Sequence, residues 1–243
     1  MPSVGDRHIV RSYDDALKKL HDALARMGGQ AERQLSQSLQ ALEQGDDSLA
    51  HQVVAADPRI DADEHFVNEQ TVRLLALRAP VADDLRTVIA SLKIAADIER
   101  IADHAASNAR RTLVLNREGA PAGPVRALIR LGWRVQALLA EVLEAYLQHD
   151  AGRALAARGL DQEVDQLHSS LFREILTYMM EDPRTITACS HLMFMAKNIE
   201  RIGDHATNIA EMTCFLVTGV PLTAPRPKGD VSSSEGLLPV PDR

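Results

Sequence analysis

Leu17, Leu20, Leu24, Met27, Ala31, Leu35, Leu39 and Leu42 recur at intervals of three and four residues, the spacing of one face of an α-helix. Gly45-Asp46-Asp47 ends that run, and Asp47 or Ser48 is placed to cap a second helix reaching Arg78. The same periodicity predicts helices from Pro80 to about Asn116, Pro124 to His149, Ala151 to Met180 and Pro183 to Val217. Pro80 and Pro183 suit first-turn positions, where a missing N–H costs nothing. Pro58 falls inside a helical stretch and is expected to kink it. No segment alternates β-branched and polar residues, so the expected fold class is all-α.

Proline and glycine divide the chain. Gly119-Ala-Pro-Ala-Gly-Pro124 separates two stretches of similar length, 1–119 and 120–219, each with room for three long helices. Two tandem antiparallel three-helix bundles follow from that count. Residues 220–243 hold five of the eleven prolines and a run of serines at 232–234, a tail expected to be disordered.

Composition narrows the function classes. The 243 residues carry 27 Lys and Arg against 34 Asp and Glu, a net charge of −7, which argues against a dedicated nucleic-acid binder. Hydrophobic residues make up 45 % and aromatics only 3 %, so the core is expected to be aliphatic. Cys189 and Cys214 offer no disulfide framework and no zinc spacing, which suits a reducing compartment. The charged first twenty residues hold no signal-peptide core, and the longest uncharged runs, 185–196 and 212–225, fall short of the roughly 20 residues a membrane-spanning helix needs. A cytoplasmic protein is expected.

An internal repeat is the strongest signal. Ile98-Glu-Arg-Ile-Ala-Asp-His-Ala105 recurs as Ile199-Glu-Arg-Ile-Gly-Asp-His-Ala206, seven of eight positions identical at an offset of 101. Upstream, Asp57-Pro-Arg-Ile-Asp61 is echoed by Asp161-Gln-Glu-Val-Asp165 at an offset of 104. The chain has five acidic pairs at i, i+4, about the number chance supplies, but four of the five occupy corresponding places in the two halves.

Around a helix centred on Ile199, the residues Leu192, Ala196, Ile202, Ala206, Ala210 and Val217 fall on the apolar face. Glu200, Asp204, Asn208 and Glu211 form a stripe beside it, and Glu99 and Asp103 repeat the stripe in the first half. Like charges one turn apart repel. If the second and third helices of each half are antiparallel, four carboxylates face one another and need protons or a multivalent cation. Oxygen-only donors suit Mg²⁺, Mn²⁺, Ca²⁺ or iron. His104 and His205 fall opposite the apolar centre and are expected at the surface. Arg86 and Arg184, at the starts of third helices, are expected as caps or salt bridges, and Met193 and Met195 as filler. No phosphate-binding loop, dinucleotide turn, HExxH, Glu-x-x-His or nucleophile elbow occurs, so no enzyme is indicated.

Ile199-Glu-Arg-Ile-Gly-Asp-His-Ala-Thr-Asn-Ile-Ala-Glu211 resembles the signature of the PhoU family of phosphate-uptake regulators. Glu181-Asp-Pro-Arg-Thr-Ile-Thr187 and Ala79-Pro-Val-Ala-Asp-Asp-Leu-Arg86 fit the same family, and the resemblance spans about residues 8–219. It implies two tandem three-helix bundles whose acidic motifs bind multinuclear clusters of iron, zinc, manganese or magnesium. Carried over by position, the ligands would be Asp57, Asp61, Glu99 and Asp103, then Asp161, Asp165, Glu200, Asp204 and Asn208. Two positions depart from the pattern: Pro58 lies within the first motif, and Ser107 stands where Asn is usual. The resemblance further implies a homodimeric cytoplasmic adaptor that meets the phosphate ABC transporter and the phosphate-sensing histidine kinase and represses phosphate-starvation genes. The alternatives are a carboxylate-bridged metalloenzyme and a metal-free helical scaffold.

Overall fold

The computed structural model describes residues 4–78 and 82–222. Helices α1 (Val4–Gln44), α2 (Asp47–Arg78) and α3 (Ala82–Glu118) form the first half. Helices α4 (Ala122–Leu147), α5 (Ala151–Arg158), α6 (Asp161–Glu181) and α7 (Ile186–Thr218) form the second, with one 3₁₀ turn, Pro183–Thr185, before α7. There is no strand among the described residues. Pro80 and the tail from 223 onward lie outside them.

Local chemistry sets the ends. Gly45 (φ 65°) and Gly119 (φ 76°) take the left-handed conformation that stops α1 and α3 and that a Cβ would disfavour. The cap of α2 is Asp46, whose Oδ1 accepts from Leu49 N at 3.0 Å, in place of the expected Asp47 or Ser48. Asp47 instead accepts from Asn116 Nδ2 on α3 at 2.7 Å. Pro58 does not interrupt α2, which is one helix from Asp47 to Arg78.

The expected single helix from Ala151 to Met180 is two. Gly159 N bonds Ala156 O at 3.1 Å and Leu160 N bonds Ala157 O at 3.0 Å, tight i→i−3 links that end α5. Gly159 (φ −67°, ψ −17°) and Leu160 (φ −78°, ψ −13°) stay in the right-handed region, so the chain tightens to i→i−3 pairing there without turning away. Asp161 consequently opens α6, in the first turn where the helix dipole favours an anion.

The core is aliphatic and continuous through both halves: the cluster containing Leu24, Ile60 and Ile98 also contains Leu138, Ile175 and Ile199. The most extensive packing is between α3 and α7, the third helices of the two halves. The α1 stripe from Leu20 to Leu42 is buried as its spacing requires, whereas Val217 at the end of α7 is 42 % exposed and leaves the apolar face. α1 also crosses α4 closely, each helix offering a glycine to the other's leucine. A Cβ on Gly28 would sit 2.8 Å from Leu143 Cδ2, and one on Gly132 would overlap Leu39 Cδ2. No helix among the described residues is long and apolar enough to cross a membrane. Gly132→Val is expected to lower stability by about 1–3 kcal/mol through overpacking, despite its better helix propensity, as read from urea unfolding midpoints.

Candidate metal centre

α2 and α3 run antiparallel, so the acidic pair on each faces the other. Asp61, Glu99 and Asp103 each present a carboxylate oxygen, and all three oxygens lie within 4.8 Å of one another. Ligand oxygens around Mg²⁺ or Ca²⁺ stand about 3–3.5 Å apart, so the set is gathered to within a side-chain adjustment of closure. Asp57, one turn before Asp61, is buried at the edge of this group. Its Oδ2 accepts from Arg110 NH2 of α3 at 3.1 Å, while its Oδ1 is buried without a hydrogen-bond partner among the described residues.

The electrostatics mark an uncompensated site. Burial, then the charge of Asp103, pushes the Asp57 carboxyl above its ordinary range against the pull of Arg110. Burial, then Asp103, likewise raises Glu99, although Arg100 stands 3.5 Å from it. Glu64 also acts on Glu99 from α2. Three converging carboxylates, an orphaned buried oxygen and raised proton affinities fit an oxygen-ligated hard or borderline cation, whose charge would cancel the repulsion. Neither departure from the family pattern, Pro58 or Ser107, prevents this gathering.

The second half buries its acids but does not gather them in the same way. Asp161, Asp165 and Glu200 are buried and Asp204 is half-buried. Among the described residues, no three of the second half's acids, histidines or cysteines meet the spacing that Asp61, Glu99 and Asp103 meet. Glu200 pairs with Lys197, and Asp161 Oδ1 accepts from Thr207 Oγ1 at 3.4 Å. The equivalent first-half positions are Ala96 and Ala106. Two alanines thus leave the first cluster open where a cation and a hydroxyl occupy the second. Asn208 turns its Nδ2 to Asp97 Oδ1 of α3 at 3.0 Å.

Asp97 belongs to a seam between the halves. His205 Nδ1 lies 2.8 Å from Asp97 Oδ1, and on the other side Asn198 Nδ2 donates to Ser107 Oγ at 3.2 Å and Asn108 Oδ1 at 2.9 Å. At the offset of 101, Asp97 corresponds to Asn198 and Ser107 to Asn208, so the duplication pairs with itself across antiparallel α3 and α7. Between the two bridges His104 and His205 stack with centroids 5.9 Å apart. Both histidines are half-buried, not fully at the surface: the face opposite one bundle's apolar centre is partly covered by the other bundle. Burial, then His205 and Arg201, lowers the His104 pKa from 6.5 to about 4.

Arg86 and Arg184 pair with acids close behind them, Arg86 NH2 with Asp83 at 2.7 Å and Arg184 with both oxygens of Asp182. Sequence reasoning missed Glu64, Asp97 and Lys197. Glu64 lies at i+3 from Asp61, the other helical neighbour spacing, and the repeat offset already set Asp97 against Asn198 and Lys197 against Ala96.

A duplicated helical bundle with carboxylate stripes across its second and third helices defines a tandem-repeat helical protein built around acidic surface clusters. The chain belongs to the PhoU family: the PhoU domain matches twice, at residues 24–112 and 128–213. It is 46 % identical over 226 residues to the phosphate-specific transport system accessory protein PhoU homolog of Caulobacter vibrioides, covering 93 % of this chain and 98 % of that one. The Rhizobium meliloti homolog of the same name is 43 % identical over 231 residues, covering 95 % of this chain and 98 % of that one. The crystal structure of PhoU from Pseudomonas aeruginosa superposes with a TM-score of 0.83 at 38 % identity, over 86 % of this chain and all of that one. The phosphate transport system regulatory protein PhoU from Streptococcus pneumoniae gives 0.79 at 28 % identity, over 87 % of this chain and all of that one.

Between pH 6.5 and 4 the unfolded chain protonates the His104 side chain while the folded one does not, so folding stability falls as pH falls through that window. The acids raised by burial act in the opposite sense, which makes the difference between variants the informative quantity. His104→Gln is expected to lose less stability than wild type between pH 7 and pH 5 in urea titrations.

Proposed function

We propose that this protein is a metal-binding regulatory adaptor of phosphate homeostasis. In this reading it acts on the cytoplasmic side of the membrane and restrains phosphate uptake and phosphate-starvation signalling by contacting the phosphate ABC transporter and the sensor histidine kinase. It is a homodimer and not an enzyme. The names of its relatives, accessory and regulatory proteins of phosphate transport, support the system in which it works.

The observation that carries the metal half is the convergence of Asp61, Glu99 and Asp103 with Asp57 beside them. These residues hold iron, zinc, manganese or magnesium, and the metal's contribution is to neutralise a cluster the protein leaves anionic. Asp161, Asp165, Glu200 and Asp204, with Asn208, form the second site once Lys197 yields. Residues 1–119 and 120–219 are the two repeat units, followed by a separate tail at 220–243.

Metal analysis of protein purified without chelator tests the ligands. Asp61→Ala or Asp103→Ala is expected to cut bound metal at the first site by about tenfold or more, with the helical content unchanged. Equal metal in wild type and variants would reject the ligand set. For the regulatory half, deletion is expected to give constitutive phosphate-starvation expression, and restoration by the wild-type chain but not by Asp61→Ala/Asp103→Ala ties that role to the cluster. Unchanged expression in high phosphate would reject it.

A further inference from the structure

We infer that the groove between α1 and α2 is a binding site for a small inorganic oxyanion, separate from the carboxylate clusters. A cavity of about 140 Å³ opens there, lined by Gln30, Arg33, Gln34, Gln37, Ala56 and Arg59. Gln34 is 3 % exposed, yet among the described residues neither its Nε2 nor its Oε1 has a hydrogen-bond partner, and Gln30 Oε1 is buried in the same condition. A buried amide with both donor and acceptor unused is costly, and native proteins rarely leave one so. Its partners are therefore supplied from outside the described residues.

The two arginines say what kind of partner. Further along the same groove Arg26 forms a two-point ion pair with Asp63, at 2.8 and 3.3 Å. Arg33 and Arg59 make no ion pair among the described residues. Ala56 contributes only a methyl group, so no carboxylate enters the cavity from α2. Water alone would satisfy the glutamines but would leave two guanidinium groups flanking the cavity without counter-charge. An oxyanion uses both, since guanidinium matches its geometry at two points.

Volume and hydrogen-bond chemistry narrow the class. The cavity holds roughly five waters' worth of space, room for one tetrahedral anion with a water or two and too little for a nucleotide. The amide oxygens of Gln30 and Gln34 need a donor as well. Hydrogenphosphate carries one O–H and sulfate carries none, so the lining favours hydrogenphosphate over sulfate. On α2, Arg59 lies between Asp57 and Asp61 in sequence but about 200° round the helix from each, which puts the anion and the carboxylate cluster on different faces of one element. The inference does not rest on the metal-binding reading.

Calorimetric titration of the chelator-treated full chain with inorganic phosphate, at fixed ionic strength in chloride, tests it. One phosphate per chain is expected, with sulfate about tenfold weaker or worse. Arg33→Gln/Arg59→Gln, two exposed positions that leave the fold intact, is expected to weaken phosphate about tenfold or more. Gln34→Leu is expected to remove the preference for phosphate over sulfate while keeping the melting temperature at or above that of wild type. Asp61→Asn/Asp103→Asn is expected to bind phosphate like wild type. No heat up to about 10 mM phosphate, or equal binding by the double arginine variant, would overturn the site. Loss of phosphate binding in the aspartate variant would place the anion on the carboxylate cluster instead, and overturn it too.

Discussion

Everything else in this structure depends on the antiparallel packing of α3 against α7. Ile98, Ile101 and Ala105 on one helix, and Ile199, Ile202 and Ala206 on the other, are buried in one continuous core. Each acidic residue of the signature follows one of these apolar positions or lies a turn beyond it. A step of about 100° per residue therefore carries Glu99, Asp103, Glu200 and Asp204 from the core to its rim. Rim placement is what gives the carboxylates their chemistry. Fully solvated they would be ordinary surface charges, and fully buried they would cost far more than the fold can offset. The repeated Asp97–Asn208 and Asn198–Ser107 bridges hold the seam in register, so the geometry of each acidic stripe is tied to the packing of the opposite half.

The duplication did not produce two equal sites. Lys197 and Thr207 meet Glu200 and Asp161 in the second half, and Ala96 and Ala106 occupy those places in the first. Lys197 and Thr207 thus reach into the second cluster, whereas in the first, among the described residues, only Arg110 on Asp57 and Arg100 beside Glu99 oppose the carboxylates. A protein under selection for stability alone would have filled both, because like charges one turn apart are destabilising. In the open cluster burial raises the Asp57 and Glu99 carboxyls above their ordinary range, which fits retention of an imbalance that a bound cation corrects.

Helix periodicity was legible because it repeats many times over: the α1 stripe alone has eight members in register. The repeat offset made the acidic positions legible as a pattern although each pair alone was uninformative. What stayed hidden depended on one residue or on a second surface. A single glycine in a helix costs about 1 kcal/mol, so nothing in the sequence distinguishes Gly159, which breaks its helix, from Gly203, which does not. Asp46, Asp47 and Ser48 are all competent caps, and only the position of Gly45 relative to the next turn selects Asp46. A wheel centred on one bundle's core assigns His104 to the outside, since it contains no information about the bundle that covers that face.

α2 is the element on which these features converge. Its buried apolar positions are few, Ala50, Val53, Ile60, Val67 and Leu74. On one side of that line lie Asp57, Asp61 and Glu64, facing α3 and repelling its acids. On another lies Arg59, beside the glutamines of α1. The helix is held by a thin stripe with unbalanced negative charge on one flank and unbalanced positive charge on another. Any ligand that binds the folded chain at either flank stabilises it by mass action.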